Sequence, residues 1–484
     1  MTRSVRIGWA TRDITPDRPV SLRGLFNLRI ATRTKDPLTL TALAIDNGDE
    51  HAVIVSMDAC AVDQEVLDRV RQEVGNGCSG LDSEKVVASA THTHTAPFSG
   101  GTVGLQKDAD YLEHILAEHP DYMSTADYTD FIVEAMVSAV CEAWESRSPG
   151  ALAWGYGYAV VGENRRIRYF DDRAVMYGST ALPDFSHVEG HVDHGVHLLF
   201  TYDTEHALTG VLVNVACPSQ STEGGQDFVS ADYWHEVRLE LRRRYGEGLS
   251  VLPQCSAAGD QTPHRQVDTR AEERMMKLKY GQGLSRGDNS ALRQDIARRI
   301  GIAVDDVETA VRQDLRPNVE MEHVQLELEL PHWNVTDKEY EDVSAQIAGL
   351  DATIERLGTV DPIGRERTSA RSRRAWCARV QDRYDNPPGS ISVQVNVLRL
   401  GDVAFVTCPF EYYLDFGDRI KGRSPAIQTF VAQLAGSGSY LATERAAAGC
   451  SYGAVPASCK VSPAGGQLIV DRALEALTSM FKQE

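Results

Sequence analysis

The chain has 484 residues and carries 69 acidic against 49 basic side chains, a formal net charge of -20. Such a surplus repels phosphate backbones and anionic bilayers, so neither nucleic acid nor a membrane surface is an expected partner. The start, Ser4 to Gly8, runs straight into a strand pattern with no apolar leader, and no window reaches the ~20 apolar residues of a membrane span; a soluble, cytoplasmic protein is expected.

In chain order, apolar alternation predicts strands over 38–47, 50–58 and 85–89 with a helix over 64–74 between them. An acidic, Tyr-rich stretch follows, read as a surface insertion, and then an amphipathic helix over 125–146. Strands are expected over 151–158, 195–202, 209–216 and 249–255. A helix over 231–245 has Ser230 and Asp232 suited to its N-terminus. Residues 265–313 read as charged helix and 319–330 as a strand pair. The span 335–384 reads as a helical hairpin whose Arg-rich second arm is expected to pair within the protein. Two strands over 390–410, a helix over 412–421, a strand over 426–434, a loop at Tyr440 and a closing helix over 467–482 complete the pattern. Strands and helices in this mixture predict an α/β fold of mixed α+β layers, with catalytic groups at strand ends. The expected organisation is a main α/β catalytic region over 1–330, a helical hairpin insertion over 331–389, and strands and helices over 390–484 that complete the same domain.

The most chemically pointed segment is Val87 to Pro97, an apolar run that ends in Thr91-His92-Thr93-His94-Thr95-Ala96-Pro97. In an extended backbone residues i and i+2 share a side, so His92 and His94 are expected to face one pocket, and imidazole is the commonest metal ligand. The nine cysteines lack CxxC spacing, which argues against a zinc ribbon or a disulfide framework. Most are expected to be small core groups.

Further motifs follow in order: Gly8-Trp9-Ala10-Thr11-Arg12-Asp13-Ile14-Thr15-Pro16, Ser56-Met57-Asp58, Asn164-Arg165, Ser230-Ala231-Asp232-Tyr233, Ala258-Gly259-Asp260-Gln261-Thr262-Pro263, Glu411 after a strand, and Tyr440-Leu441-Ala442-Thr443-Glu444 with Tyr452 beyond. Together with the His-x-His segment they resemble the neutral, non-lysosomal ceramidases and their bacterial relatives, from end to end. The resemblance implies a ceramidase-like catalytic domain with a strand-end metal site and helical insertions, without the C-terminal β-sandwich of the secreted enzymes. It implies His92, Glu411 and Tyr440 as metal ligands, with His94 and Tyr452 beside the bound water and the substrate carbonyl. Arg165 resembles the family's contact to the substrate amide. The implied metal is zinc, or another divalent transition metal.

One departure matters. Where relatives carry a second imidazole ligand, this chain has Val215-Ala216-Cys217-Pro218-Ser219-Gln220. Without a gap Pro218 takes that place and offers no donor; aligned on the following Pro, Cys217 does, and a thiolate is a good zinc ligand. His264 and His235 are other substitutes, and a site with three protein ligands is a further one. Thr262 stands where the family commonly has Ser and reads as a turn hydroxyl rather than a nucleophile. His187, His191, His194 and His197 are expected in structural or surface roles, and Gly100-Gly101-Thr102-Val103-Gly104 in close backbone approach to the site.

The expected function is a metal-dependent hydrolase acting on an amide or ester bond of a soluble small molecule. An acyltransferase or amide-forming enzyme on the same metal site is the alternative, and a ligand-binding homologue without turnover is another. Ceramide itself is not expected, since the chain shows neither a secretion signal nor an apolar membrane-docking stretch. The oligomeric state is left open.

Overall fold

The computed structural model describes residues 4–100, 109–285, 287–358, 360–436 and 438–482. It is an α/β structure organised around three sheets of four or five strands. The first orders its strands Val86–Ala90, His51–Met57, Thr39–Asp46, Arg6–Asp13 and Ser148–Pro149. The second runs Ser250–Cys255, Leu208–Val215, Gly195–Tyr202 and Ala151–Tyr158, and the third Met321–Leu330, Ile391–Leu400, Val403–Thr407 and Gln428–Ala432.

The strand sequences explain how these sheets pack. Thr39–Asp46, His51–Met57, Gly195–Tyr202 and Val403–Thr407 are buried along nearly their whole length, as in strands covered on both sides, whereas Met321–Leu330 alternates buried Leu with exposed Glu toward its end. Toward the centre Leu43, Ile54, Leu199, Leu212, Leu398 and Phe430 form one cluster that joins all three sheets. Outward, each sheet carries helices. The helix Gln64–Gly77 buries Val66, Leu67, Val70 and Val74 at helical spacing, and Thr125–Glu145, opened by a Ser124/Asp127 capping box, packs beside it. Tyr233–Tyr245 and Ser290–Val311 cover the second sheet, and Leu414–Arg423 and Pro463–Met480 the third. Each fully buried Leu, Val or Phe of these clusters contributes about 1.5–3 kcal/mol.

Several expectations change in form. Residues 319–330 are not a strand pair: Met321–Leu330 is one ten-residue strand, paired along its whole length with Ile391–Leu400. The charged span 265–313 breaks into Thr269–Tyr280 and Ser290–Val311, because Gly281 at φ +70° ends the first helix. The helix expected from 412 starts at Leu414, since Glu411–Tyr412 pairs in parallel with Tyr440–Leu441, which is therefore a short strand and not a loop. Among the described residues no helix is long and apolar enough to cross a membrane.

The site is positioned by one topological feature. Each sheet contains a parallel pair: His51–Met57 with Val86–Ala90, Leu208–Val215 with Ser250–Cys255, and Val403–Thr407 with Gln428–Ala432. Their C-terminal ends converge, and cross-sheet bonds tie them there. Ser219 Oγ donates to Thr91 O at 2.7 Å, Gln433 N to Cys255 O at 3.0 Å, and Asn214 Nδ2 to Val431 O at 2.8 Å.

Candidate metal centre

The first sheet delivers Cys60, His92 and His94. His92 lies two residues beyond the strand Val86–Ala90, with φ at +65°, and is only 4% exposed. The extended register expected for His92 and His94 is thus not how the two rings meet. The chain leaves the sheet at Ala90, and a left-handed residue, rare outside Gly and strained, turns His92 inward. The rings then stand edge to face with centroids 5.0 Å apart.

His92 Nδ1 donates to Cys60 O at 2.6 Å, and Nε2, 3.2 Å from Glu411 Oε2, carries toward the carboxylate a proton that a bound ion would displace. A backbone carbonyl holding one ring nitrogen so that the other is presented is the usual way a ligating imidazole is oriented. Burial disfavours the imidazolium, yet the Glu411 carboxylate outweighs it and lifts His92 to about 10. Glu411 moves the opposite way: burial raises it, but His92 and Arg165 hold it below the usual range. Tyr440, brought opposite Glu411 by the short parallel pairing, hydrogen-bonds the same carboxylate. The Cys60 thiol, 3.9 Å from His92 Nδ1, forms with His92 and His94 a cluster whose ligand atoms lie within 4.8 Å of one another. Imidazole, carboxylate, phenol and thiol are the donor types that suit zinc and related ions, so the residues present fit a divalent transition metal.

The second sheet supplies a residue with no metal-binding signature. Gln220 is fully buried; its Oε1 accepts from Arg165 Nη1 at 3.2 Å, and its Nε2 lies 2.8 Å from His94 Nε2. Arginine only donates, so the amide oxygen must face Arg165 and the amide N–H must face His94. His94 Nε2 is then the acceptor and its proton sits on Nδ1. That nitrogen is buried without a hydrogen-bond partner and lies 3.8 Å from Glu223. Burial, then His92, Arg29 and Arg165, hold His94 well below its ordinary value, so it stays neutral. Gly24, at φ +108°, permits this packing: a Cβ there would stand 2.5 Å from His94 Cγ.

Arg165 is 3% exposed and binds Tyr177 Oη, Tyr440 Oη and Gly259 O besides Gln220. Its Nε is buried without a partner. Charge survives this burial because the surrounding phenols and Glu411 favour it, and its pKa is raised. The motif around it is structural support. Asp260 accepts from Asn164 Nδ2 at 2.8 Å and from Leu414 N at 3.0 Å, locking the Arg165 strand to the start of the helix after Glu411. Asp232 accepts from Ser221 N and Thr222 N and so shapes the loop carrying Gln220, while Asp58 is a buried partner of Arg238 and Thr91.

His94, Arg165, Tyr440 and Tyr452 line a cavity of about 860 Å³. Its far wall is the hairpin formed by Asp337–Leu357 and Arg365–Asp385. Tyr452, 40% exposed, packs on Tyr440 at 5.5 Å, Trp376 at 5.9 Å and Phe26 at 5.9 Å. Arg383 donates to Cys459 O and Pro456 O, and Leu28 N to Thr368 Oγ1, fixing the hairpin against the site.

The other sequence candidates lie elsewhere. Cys217 is a fully buried core thiol that donates to Val161 O and Pro218 O, and burial raises its pKa; it is not part of the Cys60, His92 and His94 cluster. His264 stands one layer behind the site, its Nε2 2.9 Å from the Gln220 carbonyl. His235 faces Asp36 and Arg293 at the outer helices. Thr262 accepts from Tyr177 Oη at 3.2 Å. In the histidine group, His191 pairs with Asp418, His187 bonds Ser186, and His197 packs between Tyr156 and Phe430. Gly100 packs against Asp63 and Val66, whereas Gly101 to Gly104 lie outside the described residues. Gln220, Cys60 and Glu223 are site residues that sequence reasoning missed.

No protein-family model matches this chain, and no curated protein matches it in sequence. Among solved structures it is similar to the neutral ceramidase from Pseudomonas aeruginosa, with a TM-score of 0.69 and 17% identity over 99% of this chain and 75% of that one. It is also similar to a ceramidase complexed with C2, with a TM-score of 0.65 and 16% identity over 100% of this chain and 76% of that one. Likeness at these identities establishes the fold: the chain has a ceramidase-like α/β architecture.

Proposed function

We propose that this protein is a metal-dependent hydrolase of an amide or ester bond in a small molecule. The observation that carries the reading is His92, turned by the Cys60 carbonyl so that its Nε2 faces Glu411, with Tyr440, which lines a large cavity, paired opposite that carboxylate. His92, Glu411 and Tyr440 would hold the ion, with Cys60, which groups with His92 and His94, as a further candidate donor and Cys217 and His264 held in other contacts. The bound ion, zinc by the chemistry of these donors, would polarise the scissile carbonyl and lower the pKa of water at the site.

The protein's own groups then orient the substrate. His94, neutral and with its proton on Nδ1, donates to the carbonyl oxygen; its Nε2 is occupied by Gln220, which makes it a donor in preference to a base. Arg165 Nε–H and the Tyr452 hydroxyl are the other donors that converge on the cavity floor. Donors fixed before the reaction stabilise a developing oxyanion without reorganising.

Protein purified without chelator is expected to carry about one zinc per chain and to release carboxylic acid from amides or esters, with both properties lost to a chelator and restored by zinc. Failure to retain zinc, iron or manganese, or turnover undiminished by chelation, refutes the reading. Added amines partition the acyl group between water and amine and so distinguish hydrolysis from acyl transfer.

A further inference from the structure

The charges around the cavity are unevenly matched. Its carboxylates have partners: Glu339 accepts from Thr336 N and Oγ1 at 2.8 Å each, Asp342 accepts from Lys338 Nζ at 2.7 Å, and Glu223 faces His94. Of its two guanidinium groups, Arg165 has Glu411 near enough to favour its charge, whereas Arg373 has no such anion among the described residues. Arg165 spends its Nη atoms on phenols, an amide and a carbonyl. Arg373 stands 5.1 Å over the Phe26 ring and, among the described residues, forms no ion pair. On the same arm Arg374 is paired with Asp351. Arg373 is thus a guanidinium on the cavity wall that, among the described residues, has no ion pair to break before it meets an anionic group of a ligand.

The apolar wall adds the rest of the ligand. Trp376 follows Arg373 by three residues on one helix, so the two share a face. Phe26 and Trp376 are 5.7 Å apart, and with Tyr452 they form a continuous aromatic surface from Arg373 to Tyr440. Resting on the hydrolase reading above, we propose that the substrate is an anionic amide or ester: an acyl compound bearing a carboxylate, with its apolar arm along the Phe26, Trp376 and Tyr452 wall and its carboxylate on Arg373. Arg373 is thereby a specificity-determining residue, planar and forked as carboxylate recognition favours.

Two matched probes test this, N-benzoylglycine and its neutral counterpart N-(2-hydroxyethyl)benzamide, titrated calorimetrically into the zinc-supplemented full chain. The anionic amide is expected to bind about tenfold tighter. Arg373→Met should abolish that preference, Arg373→Lys should keep part of it, and Trp376→Ala should weaken both probes alike. Arg373 is exposed, so its variants fold, which a thermal melt verifies. Equal affinity for the two amides, binding of neither, or a preference that survives Arg373→Met overturns the proposal. Binding is read without turnover, so an anionic amide that binds in this way and is never hydrolysed refutes the hydrolase reading and leaves this one standing. Hydrolysis of neutral amides alone does the reverse.

Discussion

Gln220 offers the sharpest test of how the site is built, because its amide links two groups that otherwise share no contact. Truncation in Gln220→Ala removes the hydrogen bond to His94 Nε2 and one of four donated by the Arg165 Nη atoms. A neutral hydrogen bond contributes about 0.5–1.5 kcal/mol and one to a charged group about 1.5–3 kcal/mol. Arg165 keeps three partners, so the lower half of the sum applies, about 2–3 kcal/mol. At 1.36 kcal/mol per decade, kcat/KM should fall roughly 30- to 150-fold. Gln220→Glu separates the two contributions: its carboxylate still accepts from Arg165 but has no N–H for His94. Imidazole nitrogen-15 spectra should report the His94 proton on Nδ1 in wild type and a changed tautomer or protonation state in Gln220→Glu, while metal content stays the same in all three proteins. A Gln220→Ala enzyme within about threefold of wild type, or a wild-type His94 with its proton on Nε2, refutes the argument that this amide sets the imidazole.

Three further outcomes are expected. His92→Ala should lose the metal together with activity, whereas His94→Ala should keep the metal and lose turnover; the reverse pattern of metal content would exchange their roles. Asp58 is fully buried and takes both Arg238 Nη atoms, so Asp58→Ala strands a buried guanidinium and should cost about 3–5 kcal/mol, read as a lower urea midpoint; an unchanged midpoint would show that the pair contributes nothing. Burial first, and then Lys421, push His197 down to about 3. As pH falls from about 6.5 toward 3 the unfolded chain therefore takes up a proton that the folded one refuses, and stability drains away over that window. His197→Gln should flatten the loss between pH 7 and 4.5 in urea titrations, and an equal loss in both proteins would locate the acid sensitivity elsewhere.

The sequence exposes some of these features and hides others for physical reasons. Strands such as Gly195–Tyr202 and Ala151–Tyr158 are legible because turn residues bound short apolar runs, and the α/β class follows from their mixture with helices. His92 and His94 can be singled out by residue type and spacing, whereas Arg165, Glu411, Tyr440 and Tyr452 are legible only through the order of motifs that resembles the ceramidases. What the chain does not advertise is backbone conformation and reach. His92 takes φ +65°, so the alternation rule that picked out the His-x-His pair does not describe how the pair is delivered. Gln220 is two residues past the proline where a second imidazole was sought, and an amide has no ligand signature; only the arginine on its other side fixes its orientation. Cys217, one of the substitutes weighed for the missing imidazole, lies in the strand-end core, while Cys60 reaches the imidazoles from a loop three residues past Met57.

The three parallel strand pairs supply the common cause. In a parallel pair both strands end on the same side, so each sheet places two loops at one edge, and sheets packed through one central cluster bring those edges together. Residues far apart in sequence, Cys60, Gln220 and Glu411, thus become neighbours through backbone geometry that no local window contains. The cavity wall is a further step removed, because the hairpin joins the site through packing against Phe26, Tyr452 and the 456–459 carbonyls. On the proposed reading, a substitution in that hairpin would change which substrate enters and leave the candidate metal ligands untouched, whereas one in the strand-end loops would alter those ligands themselves. Tyr452 on that reading belongs both to the cavity wall and to the oxyanion donors, so specificity and chemistry meet at this residue, while Arg373 and Trp376 on the hairpin bear on specificity alone.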